Sequence, residues 1–201
     1  MRTYPLSIFL LAIVMGLSAC LNSIPRFGTG GQYEAGKEEF MRGKGGDIDK
    51  AIPALEAVVR ENPTYRDSLT LLGRAYYRKT RYPDAAAILQ RAVVVQKDDG
   101  IAWIVLGAAQ LRLNQNEQGL QAMKGGISLF SRVSVNGYHN FPLWDTRGMI
   151  SASIRRVAFL LTKEGDNKEE LLNEVNTLLS RVDDEENFQR IDTPRRYNRE
   201  Y

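Results

Sequence analysis

Along most of the chain, apolar positions recur with the 3.6-residue period of an α-helix. Leu69, Leu72, Gly73 and Tyr76 fall at i, i+3, i+4 and i+7, and Ala85, Leu89 and Ala92 line one face of a second segment. Further on, Met149 to Thr162 gathers Ile150, Ile154, Val157, Ala158 and Leu161 on one side. Lys168 to Val182 does the same with Leu171, Leu172, Val175, Leu178 and Leu179. It opens after Asp166-Asn167, with Glu169-Glu170 where acidic groups suit a helix amino end. Between these parts, "VSVNGYHNFPLW" alternates around Asn136-Gly137, which fits either a short hairpin with a type I′ turn or a plain ordered loop. The last stretch, 183–201, passes from acidic (Asp183 to Glu186) to basic (Arg195, Arg196, Arg199) around Pro194. It reads as a frayed, disordered tail, with a partner-binding segment as the alternative.

The helical segments repeat at a spacing of 34 residues. Ala51, Ala85 and Gly119 form one column, Leu55, Leu89 and Met123 the next, and Val58, Ala92 and Gly126 a third. In the second and third copies Leu69 matches Trp103, Leu72 matches Leu106, and Gly73 matches Gly107. Antiparallel helices approach closely only where Cβ bulk is missing, so Gly73 and Gly107 are expected opposite Ala85 and Gly119. Pro63 follows the end of the first copy's second helix, and Pro83 sits at a helix start, where a missing N–H costs nothing. This pattern resembles a tetratricopeptide repeat, and the resemblance covers about half the chain, 32–133. The third copy carries Gly in both alanine columns and Gln110 in the tyrosine column. The first departs more, because Gly36 lies fifteen residues before Ala51 where the later copies have twelve. Its first helix is shifted or carries a three-residue insertion in "RGKGGD". The expected fold is therefore all-α: a helical-hairpin solenoid of about three repeats, a loop or hairpin insertion at 134–148, and a capping helix pair at 149–182.

The amino end adds a location. Arg2, an apolar run from Leu6 to Leu17 and the small residues Ser18 and Ala19 have the parts of a secretory leader, and the run is short for a membrane span. "LSAC" at residues 17–20 resembles the lipobox of bacterial lipoproteins, and Cys20 is the one cysteine of 201 residues. That resemblance implies cleavage after residue 19, a diacylglyceryl thioether on Cys20 and acylation of the new amino terminus. Two or more chains give stable anchoring where one does not. Leu21 in place of Asp resembles the outer-membrane sorting pattern, which implies a protein facing the periplasm. Residues 20–31 read as a flexible tether. The leader holds one of the 27 basic residues and none of the 24 acidic ones, so the rest carries 26 against 24. That balance argues against nucleic acid as a partner and against a polybasic membrane binder.

Catalytic chemistry is thin. With a single histidine, His139, and its thiol used by lipid, the chain lacks the parts of a His/Cys zinc site or a Cys–His pair. No Gly-x-Ser-x-Gly elbow presents a serine to His139, and "GTGG" and "GKGG" lack P-loop spacing. Asp98-Asp99 and Asp183-Asp184 read as helix caps or solvated charge. No cofactor, metal or catalytic residue is assigned.

The stack itself offers a site. If Leu69, Leu72, Gly73 and Tyr76 point into the hairpin, then Asp67, Thr70, Arg74, Tyr77 and Arg78 share the other side, with Ile101, Ile104, Ala108, Leu111 and Arg112 their third-copy equivalents. The family resemblance implies that these ten positions line a concave groove that receives a partner's peptide or helix. Apolar Ile101, Ile104 and Leu111 mark a contact surface if exposed, and the arginines suit a partner's carboxylates. The alternative is that the C-terminal helices or tail fold back and bury them. The expected function is a lipid-anchored envelope adaptor that binds a protein partner and supports assembly of an envelope complex, in the manner of pilotins or peptidoglycan-enzyme adaptors. Two rivals stay open: an envelope enzyme or subunit using the 136–144 insertion, and a self-associating structural lipoprotein in which one copy's groove takes another's tail. The sequence leaves the oligomeric state open.

Overall fold

A computed structural model describes residues 28–41, 46–136, 144–163 and 167–197, with side chains placed to 132 in the second stretch and to 189 in the last. Eight helices account for nearly all of these residues, and none of the described residues is in a strand. They are α1 (Gly28–Met41), α2 (Ile48–Glu61), α3 (Ser68–Arg78), α4 (Tyr82–Val95), α5 (Gly100–Arg112), α6 (Asn116–Asn136), α7 (Met149–Leu160) and α8 (Lys168–Tyr197). The pairs α1/α2, α3/α4 and α5/α6 pack as antiparallel hairpins stacked in order, α7 lies on α6, and α8 packs on α7 and reaches back to α5 and α1. This is the expected helical-repeat solenoid.

Local chemistry explains the boundaries. Asp47 and Asp99 cap α2 and α5, accepting from the Asp49 and Ala102 amides at 3.0 and 2.9 Å. The turn leaving α3 recurs 34 residues later. Thr80 and Asn114 take left-handed φ values of 58° and 62°, and the amides that follow them, Arg81 and Gln115, bond back to the Tyr76 and Gln110 carbonyls at 2.9 Å. That is a Schellman closure, which satisfies carbonyls the helix end leaves open. The α7 start is built differently: the Asp145 carboxylate accepts from the Ile150 and Ser151 amides at 2.9 and 2.8 Å.

Glycines set the spacing of the hairpins. A Cβ on Gly107 would lie 2.6 Å from the Gly119 carbonyl oxygen, and one on Gly126 2.7 Å from the Ile104 nitrogen, so α5 and α6 touch through backbone. Gly73 has a side-chain neighbour instead: its nearest contact is the Leu89 Cγ, at 2.4 Å from a built Cβ, rather than Ala85. Gly36 occupies the same place in the first hairpin, with a built Cβ 2.9 Å from the Leu55 Cγ. The three extra residues of the first copy therefore fall between α1 and α2, as an insertion and not a shifted helix.

Three expected boundaries move. The tether assigned to 20–31 gives way to helix at Gly28, because Tyr33, Gly36, Phe40 and Met41 are buried against the stack. Packing here overrides the poor helix propensity of Thr29-Gly30-Gly31. Residues 134–136 continue α6 as helix, so the hairpin reading of Asn136-Gly137 fails at its first residue, and Gly137 lies outside the described residues. The tail assigned to 183–201 is helical as far as Tyr197.

Two substitutions test the hairpin geometry. Gly107→Ala puts a methyl against backbone and should cost ~1–3 kcal/mol as overpacking. Gly125→Ala, where a Cβ meets nothing within 4 Å, should gain about 0.4–1 kcal/mol. Urea denaturation midpoints moving in opposite directions are the expected result.

Candidate functional site

The ten groove positions separate into three groups. Asp67 and Thr70 are used inside the stack. The Tyr33 phenol of α1 donates to the Asp67 carboxylate, and the Thr70 hydroxyl donates at 2.6 Å to Asp99, the cap of α5. Burial, reinforced by the Asp67 charge, pushes the Tyr33 phenol well above its ordinary range, so it remains a neutral donor.

Ile101, Ile104, Ala108 and Leu111 form no surface patch: each is at most 2% exposed. Ile104 and Leu111 face the second helix of their own hairpin, where a Cβ on Gly126 would meet the Ile104 Cγ1 at 2.8 Å and one on Gly119 the Leu111 Cγ at 2.9 Å. With glycine in both small-residue columns, α6 sinks onto α5 and takes these side chains into the core. The expectation of an exposed apolar contact surface is corrected accordingly.

Arg74, Tyr77, Arg78 and Arg112 do share the inner face, and α8 lies over them. Thirty residues at ~1.5 Å each make α8 about 45 Å long. Arg112 donates to both Glu169 oxygens at 3.1 and 3.0 Å, and the Tyr77 hydroxyl donates to Asn176 Oδ1 at 3.1 Å. Asp183 accepts from both Arg74 and Arg78, and Glu186 accepts from Arg74 at 3.3 Å. Positions 169, 176, 183 and 186 fall at i, i+7, i+14 and i+17, a single stripe along one side of the helix. Underneath, the Arg74 and Arg78 guanidinium groups sit 4.9 and 3.8 Å from the Phe40 ring centroid.

Burial separates these contacts energetically. The Arg74 side chain is 5% exposed and its partner Glu186 7%, whereas Glu169 is 68% exposed. Desolvation lowers the Arg78 guanidinium from its ordinary value, with Asp183 acting against it. Arg112 also loses some solvent, yet the hydrogen bond and charge of Glu169 hold it above its ordinary value. Burial raises the Tyr77 phenol. Some space remains beneath α8: a cavity of about 410 Å³ is bounded by Arg74, Tyr77, Val105, Arg112, Leu179 and Ser180.

What this arrangement does chemically is hold a helix: fixed cations meet carboxylates spaced along one helical face. It contains no nucleophile–base pair. Cys20 and His139 lie outside the described residues. The alternative weighed from the sequence, that the C-terminal helices or tail fold back over this face, is what the structure shows, while the contacting residues Glu169, Asn176, Asp183 and Glu186 are ones that sequence reasoning did not assign. The signal for the covering helix was present, because Leu178, Val182, Glu185 and Gln189 continue an i, i+4, i+7, i+11 face, all four buried. The last two are polar, and Gln189 donates to Glu185 at 2.7 Å.

Residues 42–101 and 70–127 match a family model described as tetratricopeptide repeat. Among curated proteins, 82 residues (41% of this chain) are 30% identical to the "General transcriptional corepressor trfA" of Dictyostelium discoideum. A stretch of 48 residues, 24% of the chain, is 38% identical to "ALBINO3-like protein 3, mitochondrial" of Arabidopsis thaliana. The matched stretches are 6% and 8% of those proteins' lengths, so this chain spans only a small part of either.

Removing one member of the buried cluster should separate it from the open pair. Arg74→Met keeps the bulk but leaves Asp183 and Glu186 facing each other, an expected loss of ~3–5 kcal/mol. Arg112→Ala should cost less than ~1 kcal/mol. Urea unfolding gives both values, and limited proteolysis should cut within α8 faster in the first variant only.

Proposed function

We propose, on the premise that residues 42–127 are tetratricopeptide repeats, that this chain is a lipid-anchored scaffold of the cell envelope. It holds a partner protein on its inner face. The observation that carries the partner reading is that this face already binds a helix. α8 is seated on it by a stripe of carboxylate and amide contacts to Arg74, Tyr77, Arg78 and Arg112. A face built to grip one amphipathic helix grips another of like chemistry, and the partner enters by displacing α8.

The anchor belongs to the leader and to Cys20. A diacylglyceryl thioether there, with an acylated amino terminus, puts the repeats at a membrane surface, in the outer membrane facing the periplasm by the Leu21 pattern. Assembly of an envelope complex, pilotin-like or as an adaptor of peptidoglycan enzymes, is the role this placement supports. The reading gives the chain no catalytic step.

Two measurements test the two halves separately. Cys20→Ala should abolish incorporation of labelled palmitate and move the protein out of the membrane fraction. In crosslinking pull-downs from envelope extracts, Asp183→Ala with Glu186→Ala should raise partner capture by loosening α8, and Arg74→Ala with Arg78→Ala should lower it. Identical capture by wild type and both double variants would refute the inner-face assignment.

A further inference from the structure

Two surfaces outside the inner face are opposite in charge. The first is the seam between α6 and α7, where an open groove of about 610 Å³ is lined by apolar Ile127, Ile154 and Leu161. Ser128 on α6 and Ala158 on α7 are too small to close it. At ~100° per residue, Ala158 lies across α7 from Ser153 and Arg156, which bond to Glu174 and Glu170 of α8. The groove therefore opens on the side that α8 does not cover. Lys124 stands on its α6 bank and Arg155 on its α7 bank, and no carboxylate lines it. Among the described residues neither cation has a carboxylate partner, whereas Arg156 and Lys163, on the α8 side, share Glu170 at 2.5 and 3.8 Å.

The second surface is the outward stripe of α8. Asn173, Thr177, Ser180, Asp184 and Phe188 fall at i, i+4, i+7, i+11 and i+15, all exposed. They lie on the side turned away from buried Leu171, Val175, Leu178 and Val182. The stripe is neutral and polar until its end, where the Asp184 carboxylate precedes by one turn a phenyl ring 46% exposed. Asp184 has no partner among the described residues. Phe159, similarly exposed, has cations beside it instead: Arg156 and Lys163 lie 5.8 and 5.2 Å from its ring centroid. A groove rimmed by cations disfavours that ring and suits Phe188.

We propose that the α6–α7 groove receives the end of α8 from a second copy of this chain. Phe188 of the second copy covers Ile127, Ile154 and Leu161, and its Asp184 pairs with Arg155 and Lys124. Each surface supplies what the other lacks: the groove has cations without a carboxylate, and the stripe a carboxylate without a cation. The two patches are different parts of the molecule, so the contact is heterologous and head-to-tail, each copy keeping one patch for the next. It uses α8 in its seated position and does not rest on the inner face receiving a partner.

Sedimentation velocity of the full chain in non-ionic detergent, across a wide concentration range, tests the contact. The expected sedimentation coefficient rises with concentration and falls back in high salt. The contact is small, so the rise belongs to the upper end of the range. Arg155→Glu with Lys124→Glu should weaken association roughly tenfold or more, and so should Asp184→Arg. All three side chains are exposed, so the circular dichroism of both variants should match the wild type. An equal mixture of the two variants should form pairs and nothing larger, because one retains the stripe and the other the groove. In intact membranes, Phe188→p-benzoylphenylalanine should give a photoadduct of twice the monomer mass, joined to peptides of α6 or α7. A monomer at every concentration, association indifferent to both charge variants, a mixture that fails to pair, or a photoadduct with lipid or another protein overturns the proposal.

Discussion

Arg74 is a cation placed where water hardly reaches it, and the rest of the inner face is arranged around that fact. A guanidinium this buried is retained where carboxylates reach it. Asp183 and Glu186 do, and both sit beyond the point where the apolar face of α8 weakens. The stretch of α8 from Val182 to Gln189 is therefore held by charge as much as by apolar area, with Val182 still in the core and Glu185 and Gln189 bonded to each other. The ring of Phe40 beneath the two arginines ties the first hairpin to the same point. One ionic cluster thus joins the first repeat, the second repeat and the C-terminal helix.

The glycine columns divide the third hairpin's two sides in a complementary way. Because Gly107 and Gly119 bring α5 and α6 into backbone contact, side chains that would point toward the groove, Ile104 and Leu111, are consumed by the hairpin. The inner face of this copy is consequently plain, and among the described residues Arg112 is its charged group bonded to α8. On the outer side the same copy carries Gln110 where its predecessor has Tyr76. The three repeats share a backbone plan while differing in which surface each leaves available.

How much of this was legible in sequence follows from which residues act through their neighbours in the chain and which through distant ones. The 34-residue period, the glycine at 107 facing 119, the cap at Asp99 and the break at Pro63 are local or pairwise events, and each is written in a few adjacent residues. The start of α1 was hidden because Thr29-Gly30-Gly31 argue against helix, and only burial of Tyr33 and Phe40 outweighs them. Assigning Ile104 and Leu111 to the groove by repeat position failed because the template assumes small side chains, not bare backbone, at the facing columns. The tail failed for a different reason. Asp183 to Glu186 reads as solvated charge until the arginines 105 to 112 residues earlier in the chain are seen to face it.

A ligand carried on the same chain as its receptor is present at an effective concentration of about millimolar, whatever the amount of protein. Any outside helix must outcompete that standing supply, and its measured affinity falls by the fraction of molecules in which the face is free. If a partner helix does enter as proposed, covering the inner face sets a threshold: weak or sparse ligands are rejected, and only one that grips more of the arginine row than α8 does is admitted.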